Sequence, residues 1–282
     1  MDRLRGIDMR HMICLGLLSI LVAKPTSVEA QSAGPANGTL VLTGGAAVIP
    51  PSILDTFLEF AGGEGARIVY IRIPRELPET VGSRSELETV LSERFRANVT
   101  LLHSSNRDDW DSDAFAGAIK ASQAVWVSGG SQGHLANLVL GTRSHAELEA
   151  LLQRGGVFGG QSGGAMIAAS FILRGAPDKP ALIARGHTRG FGFLRNVAIN
   201  PHLTERHRED QLVTAVDLYP ELLGIGIDEG TAIVVHHNAF TVLGRGRVAV
   251  YDNTRHGSQW FYYLDSNATF DLSTRTVQQP SH

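Results

Sequence analysis

Short apolar runs that end in paired glycines constrain the fold of this chain more than any other feature. Three of them, TLVLTGG (39–45), QAVWVSGG (123–130) and VFGG (157–160), are typical of buried strands followed by tight turns. Segments with apolar residues at helical spacing separate these strands. Such alternation predicts an α/β fold in which helices cover both faces of a mostly parallel sheet. Ligands bind such sheets beyond the carboxyl ends of the strands, which is where the glycine pairs lie.

The remaining predicted elements follow from the same patterns. Further strands are predicted at 66–74 and 98–103, and helices at 51–63, 85–95, 111–122, 134–141 and 145–156. From about residue 224 the apolar runs LLGIGID, TAIVVH, AFTVLG and RVAVYD become shorter and predict a β-rich part with some antiparallel strands. The stretch after Asp265 carries no clear pattern. No internal repeat or linker divides the chain, so residues 39–282 are predicted to form a single α/β domain.

The first 30 residues have the layout of a secretory signal peptide. Basic residues precede the apolar run MICLGLLSILVA (12–23), which is short for a membrane span, and a small-x-Ala pattern ends at Ala30. We therefore predict cleavage after Ala30 and a secreted or periplasmic protein without a membrane partner; an uncleaved membrane anchor is the alternative. Residues 31–38, QSAGPANG, lack apolar periodicity and are predicted to be a disordered leader.

Composition argues against several function classes. The only cysteine, Cys14, lies in the predicted signal peptide, so the mature chain can form no disulfide and has no thiol nucleophile. A net charge of −3 and the lack of a basic tract argue against a nucleic-acid partner. The histidines have neither HExxH spacing nor cysteine partners, so neither a metal nor another cofactor is predicted.

The segment GGQSGG (159–164) contains the best candidate for chemistry. Ser162 lies in a G-x-S-x-G match between a short strand and the segment AMIAAS, which should be helical, as in a nucleophile elbow. The backbone N–H of Gly163 is a candidate oxyanion donor, and Gly130, in a second glycine turn, is the other. A glycine-rich turn that binds an anion or only packs is the alternative reading.

A serine nucleophile needs a base that a third group orients. His202 follows an apolar strand and precedes a helical pattern, so it lies at a strand end like Ser162. Asp228 and Glu229 lie at the end of another predicted strand, and either could supply the carboxylate.

An α/β-hydrolase esterase is a second interpretation, because G-x-S-x-G is also the motif of that fold. In those enzymes the acid precedes the histidine, so the base would be His236, His237 or His256. The chain has no HGGG-like loop upstream of the serine, which weakens this interpretation.

In order along the chain, the segments TGG, WVSGGSQ, RGGVFGGQSGGAMI, PHLTERHREDQL and GIGIDEGTAIVV resemble the cyanophycinase and aspartyl-dipeptidase family of serine peptidases. The resemblance is strongest to the cyanophycinase branch and covers residues 39–252. It implies a fold like class I glutamine amidotransferases (flavodoxin-like) and a homodimer. It also implies a triad of Ser162, His202 and Glu229, with Gln132 at the substrate site. Members of that branch hydrolyse cyanophycin, an aspartate polymer with arginine in β-amide linkage, to β-aspartyl-arginine.

The departures from the family pattern concern substrate recognition. Asn200 and Pro201 stand where the family usually has Asp-Gln, so a carboxylate that suits a substrate guanidinium is missing. Of three arginines expected to bind substrate carboxylates, Arg206 and Arg208 remain, and Gln211 takes the third place. The sequence predicts a peptidase for an aspartyl peptide or polyamide, with cyanophycin as one candidate and Asn200, Arg206 and Arg208 at the substrate site. An inactive binding protein on the same scaffold is the remaining alternative.

Overall fold

The computed structural model describes residues 32–73 and 91–278. The strands are β1 (Thr39–Thr43), β2 (Arg67–Ile71), β3 (Asn98–Leu102), β4 (Ala124–Val127), β5 (Val157–Gln161), β6 (Ala169–Phe171), β7 (Leu194–Pro201), β8 (Leu223–Ile227), β9 (Thr231–His236), β10 (Ala239–Gly244), β11 (Val248–Tyr251), β12 (Tyr262–Leu264), β13 (Thr269–Asp271) and β14 (Thr276–Gln278). The helices are α1 (Pro51–Phe60), α2 (Arg107–Trp110), α3 (Asp113–Ala121), α4 (Gln132–Val139), α5 (Arg143–Gln153), α6 (Gly163–Ala168) and α7 (Glu209–Leu218). Residues 91–95 are also helical, and the rest of the helix predicted at 85–95 lies outside the described residues.

The strands form two mixed sheets. In the first, with the order β14-β13-β10-β9-β1-β5-β4-β2-β3, the five strands from β1 to β3 run parallel and the others pair antiparallel. In the second, with the order β12-β11-β8-β7-β6, only β6, β7 and β8 run parallel. The α/β fold and the antiparallel C-terminal strands are confirmed. The parallel strands divide between two sheets, which the sequence does not predict because apolar patterns identify strands but not their partners.

Side-chain alternation along β1 explains why helices cover both faces of the first sheet. Leu40 packs in one core with Leu135 of α4 and Leu148 of α5, whereas Val41 packs in another with Phe57 of α1. The second sheet contributes apolar side chains from β7, β8 and β11 to the first of these cores, and its other face packs against α7. One shared core therefore holds the two sheets together.

The loops after β1, β5, β7 and β8 meet in one place. Each is tied to another by a backbone hydrogen bond, even though the four strands belong to two sheets. The N–H of Ser162 donates to the carbonyl of Thr43 at 3.1 Å, that of His202 to Gly44 at 3.0 Å, and that of Gly230 to Gly45 at 2.8 Å. Residues that follow these strands are therefore close in space although they are far apart in sequence.

Residues 32–38, within the predicted leader, contact the turn between β9 and β10. Oδ1 of Asn238, in the turn between β9 and β10, accepts hydrogen bonds from the hydroxyl of Ser32 at 2.8 Å and the N–H of Ala33 at 2.9 Å. It also accepts from the N–H of Gly34 at 3.2 Å. Local composition cannot reveal these contacts, because the partner is distant in sequence.

The described residues from Ser32 onward pack into one compact unit. Among the helices of the described residues, none has both the length and the apolar character needed to cross a membrane. The predicted signal peptide, residues 1–30, lies outside the described residues. Its cleavage and the secretion of the protein stay predictions.

Candidate active site

Ser162 lies at a strained turn between β5 and α6. Its φ of 54° and ψ of −113° are unusual for a residue with a side chain. A Cβ at Gly160 would lie 2.3 Å from the carbonyl oxygen of Gly164, and a Cβ at Gly163 would lie 2.2 Å from that of Gly130. The glycines around the serine are therefore required by close backbone packing, which keeps Ser162 in this conformation.

His202 follows β7, and its imidazole reaches Ser162. Nε2 lies 2.8 Å from Oγ of the serine. His202 is only 7% exposed, and its backbone N–H donates to the carbonyl of Gly44. The ring packs directly on Gly45, where a Cβ would lie 2.4 Å from Cε1 of the imidazole. The glycine pair after β1 therefore leaves the space that the imidazole occupies.

Of the two carboxylates after β8, Glu229 contacts the imidazole. Its Oε1 lies 2.5 Å from Nδ1 of His202. Asp228 is buried and accepts hydrogen bonds from the N–H and hydroxyl of Thr204 and from the N–H of Arg247. The two neighbouring carboxylates thus have different partners, a distinction that spacing along the sequence left open.

Ser162, His202 and Glu229 form a continuous chain of hydrogen bonds. When Nδ1–H donates to Glu229, Nε2 is free to accept the proton of the serine hydroxyl. Burial lowers the pKa of His202, hydrogen bonding to Glu229 raises it, and repulsion from Arg206 and Arg208 lowers it, with a net shift downward. The imidazole is therefore neutral at neutral pH, which a general base requires.

The glycine turn after β4 borders the serine. A Cβ at Gly129 would lie 3.3 Å from the Cβ of Ser162, and Gly130 packs against Gly163. Within the described residues, no protein group accepts a hydrogen bond from the backbone N–H of Gly130 or Gly163. Both candidate oxyanion donors therefore lie near Ser162 and have no acceptor among the described residues.

The three histidines that could serve as the base of an esterase contact other groups. His236 lies 3.3 Å from Oγ1 of Thr39, His237 lies 2.8 Å from the carbonyl oxygen of Ala36, and His256 lies 2.9 Å from Oδ1 of Asp252. An esterase base would have to contact Ser162, so the structure does not support this interpretation. Across the described part of the chain, no group of three His, Cys, Asp or Glu side chains could hold a metal ion.

Two residues predicted at the substrate site are buried. Gln132 is 7% exposed, and its Nε2 donates to the carbonyl oxygens of Leu173 at 2.7 Å and Arg174 at 3.0 Å. Asn200 is fully buried, and its Oδ1 accepts a hydrogen bond from Nη2 of Arg174 at 2.9 Å. Buried amides must satisfy their hydrogen bonds within the protein. Gln132 and Asn200 therefore support neighbouring segments, and their contact with a substrate stays a prediction.

Arg206 and Arg208 lie next to the base. The N–H of Arg206 donates to the carbonyl of His202 at 3.2 Å, and Nη1 of Arg208 donates to that of Pro201 at 3.1 Å. Burial and repulsion from Arg206 lower the pKa of Arg208. Over residues 32–73 and 91–278, neither guanidinium forms an ion pair with a carboxylate. Two guanidinium groups without a carboxylate partner among the described residues thus lie beside His202.

Three contributors to this site have no role predicted from sequence. Arg174, after β6, holds Asn200. Nε2 of Gln161 donates to the carbonyl of Ala46 at 2.9 Å and so ties β5 to the loop after β1. Oε1 of Glu205 accepts a hydrogen bond from the backbone N–H of Glu229 at 3.0 Å. Each contact joins segments that are distant in sequence, so no local pattern could have revealed it.

The comparisons with known proteins point to one family. The model of peptidase family S51 matches residues 40–243. The chain is 28% identical to the cyanophycinase of Trichormus variabilis over 235 residues, which cover 81% of this chain and 78% of that protein. It is also 28% identical to the cyanophycinase of Geminocystis herdmanii over 214 residues, 73% of this chain and 78% of the relative.

Two solved structures share the fold. The crystal structure of a peptidase from an acI-B1 Actinobacterium superposes with a TM-score of 0.65 at 22% identity, over 83% of this chain and 97% of the other. A putative peptidase E protein from Listeria monocytogenes EGD-e superposes with a TM-score of 0.54 at 15% identity, over 75% of this chain and 100% of the other. The arrangement of sheets and helices described above is thus found in other peptidase structures.

Proposed function

The chain belongs to peptidase family S51, and we propose that this serine-type peptidase uses Ser162, His202 and Glu229 as its catalytic triad. The observation that carries the proposal is the hydrogen-bonded chain from Oγ to Nε2, at 2.8 Å, and from Nδ1 to Oε1, at 2.5 Å. Nucleophile, base and orienting carboxylate are recognised by this geometry whatever their order in the sequence.

In the proposed reaction, Oγ of Ser162 attacks the carbonyl carbon of the scissile amide while its proton moves to Nε2 of His202. Glu229 stabilises the imidazolium, and the N–H groups of Gly130 and Gly163 bind the oxygen that becomes negative. Collapse of the tetrahedral intermediate breaks the C–N bond, and His202 gives its proton to the leaving amine. Water, deprotonated by His202, then hydrolyses the acyl-enzyme and returns Ser162 to its hydroxyl form.

We further propose that the substrate is an aspartyl peptide or polyamide with a free carboxylate. Support comes from Arg206 and Arg208, which lie beside His202 and have no carboxylate partner among the described residues. Arginine is well suited to bind a carboxylate through paired N–H groups. Cyanophycin, the polymer named by the cyanophycinase relatives, is one candidate of this class. The N-terminal sequence supports the proposal that the protein acts outside the cytoplasm.

A fluorophosphonate probe and a matched peptide series test this function together. We expect the probe to modify Ser162, as read by mass spectrometry, and the mature protein to cleave aspartyl dipeptides faster than the same dipeptides with asparagine. Cyanophycin, assayed by release of soluble dipeptide, is included as a further substrate. An unmodified Ser162 would contradict the triad. A modified Ser162 with no preference for aspartyl over asparaginyl peptides would contradict the substrate class alone.

The pH dependence of probe labelling is expected to move when Arg206 is replaced. His202 must be neutral to act as a base, and its pKa lies below the ordinary value, so labelling should persist below about pH 6.5. Arg206 disfavours the protonated imidazole, so Arg206→Gln should raise the pKa of His202 and shift the loss of labelling to higher pH. The measurement is the labelling rate from pH 4 to 8 in about half-unit steps.

The matched control for this shift is Arg195→Gln. Arg195 is exposed and lies at the amino end of β7, the end opposite His202, so its charge should matter little. An Arg206→Gln profile that coincides with the wild-type profile, or moves to lower pH, would contradict the assigned interaction.

A further inference from the structure

Arg174 is held rigidly although it lies in a loop after β6. Its Nη1 donates to Oε1 of Gln211, and its Nη2 donates to Oδ1 of Asn200 at 2.9 Å. Its carbonyl oxygen accepts from Gln132 at 3.0 Å, and its N–H donates to the carbonyl of Leu182 at 2.7 Å. A long, flexible side chain fixed in this way has already lost the entropy that ligand binding would otherwise cost.

The charge of Arg174 is not neutralised by the protein. Its side-chain partners, Asn200 and Gln211, are neutral amides, and across the described ranges no carboxylate forms an ion pair with it. Burial, and repulsion from Arg208 and Arg206, lower the pKa of Arg174 to about 10, so it remains charged at neutral pH. A half-buried cation without a counterion favours an anionic ligand.

The guanidinium also lies among the segments that build the triad. Asn200 precedes His202 by two residues on the same strand end, and Met166, whose Sδ is 3.8 Å from Nη2 of Arg174, lies in the helix that follows Ser162. Gln132, which binds the carbonyl of Arg174, begins the helix after the Gly130 turn. The residues that contact Arg174 therefore belong to the segments that also carry the nucleophile, the base and the candidate oxyanion donors.

We propose that Arg174 is a substrate-binding residue of this site: with Arg206 and Arg208 it binds a carboxylate of the substrate, while Asn200 and Gln211 hold its guanidinium in place. This proposal rests on the proposed function and deepens it, since it assigns the recognition of the acidic group to a residue outside the segment that follows His202. Gln211 and Asn200 then share one role: both hold the guanidinium of Arg174, which comes from a different part of the fold.

Calorimetric titration of the full mature chain with succinate, and with neutral succinamide, tests the proposal without requiring turnover. We expect succinate to bind and succinamide to bind at least about 10-fold more weakly. Arg174→Gln keeps an amide donor for Asn200 but removes the charge, and should weaken succinate binding by about 10- to 100-fold. Arg174→Lys keeps the charge and should retain more of the binding than Arg174→Gln. Arg143→Gln, at an exposed ion pair between α5 and α3, is the matched control and should bind like the wild type.

Equal affinity of the wild type for succinate and succinamide would overturn the proposal, and this result does not depend on any variant being folded. It would also be overturned if Arg174→Gln bound succinate as the wild type does, or if Arg174→Lys lost as much affinity as Arg174→Gln, because then the charge would not matter. Fluorophosphonate labelling of the same samples tests the proposed triad independently of carboxylate binding by Arg174. Failure of labelling in the wild type contradicts the proposed triad, whereas the calorimetry still decides whether Arg174 binds a carboxylate.

Discussion

Replacing Ser162 with alanine is expected to lower kcat/KM for peptide hydrolysis by roughly 10⁴-fold or more, and to abolish fluorophosphonate labelling. The hydroxyl oxygen is the only atom that the substitution removes, and it is the proposed nucleophile. Alanine has a Cβ like serine, so the backbone strain at φ 54° is the same in both proteins and stability should change little. The measurement is the initial rate on the best aspartyl dipeptide, together with the thermal unfolding midpoint.

The matched control for this prediction is Ser273→Ala, which removes a hydroxyl from the exposed turn between β13 and β14. It should keep the wild-type rate. If Ser162→Ala retained more than about a tenth of the activity, the nucleophile would have to be another group, because loss of the nucleophile in such a triad costs far more than that.

Replacing His202 with alanine is expected to reduce kcat/KM by roughly the same 10⁴-fold or more, because an unactivated serine hydroxyl is a poor nucleophile. The double variant Ser162→Ala/His202→Ala should be no worse than either single variant, since the two groups act on one proton transfer. The measurement is again the rate on an aspartyl dipeptide, with the rate of labelling at Ser162 as a second readout. An additive loss in the double variant would contradict a shared role.

His237→Ala is the matched control for the histidine. Both residues have a positive φ, 54° at His202 and 51° at His237, so the two substitutions alter the same kind of backbone position. His237 is exposed and binds the carbonyl of Ala36, away from Ser162. Activity that survived His202→Ala but not His237→Ala would restore the esterase interpretation, in which the base follows the carboxylate in sequence.

Strands and helices that carry strong local signals are the ones that sequence predicts well. The run TLVLT before a glycine pair corresponds to β1, and the helix predicted at 111–122 is α3, which begins after Ser112, a serine whose hydroxyl accepts from the N–H of Phe115. The short elements α2, β12, β13 and β14 had no prediction, because three or four residues give too little periodicity to recognise. The helix predicted over AMIAAS ends earlier than expected, because Ala169 and Ser170 belong to β6. The contacts of residues 32–38 have no local signal, because they depend on Asn238.

The sequence by itself determined which chemistry is available: a serine between glycines after a strand, a histidine after another strand, and no cysteine after Cys14. Those features are local, because glycines and apolar runs act through the backbone of their own segment. Local patterns left Asp228 and Glu229 open and only the family resemblance favoured Glu229, whereas the tertiary structure brings Glu229 to the imidazole and Arg174 to Asn200. The physical reason is that hydrogen bonds require atoms within about 3 Å, and separations on that scale depend on how two sheets pack through a shared core.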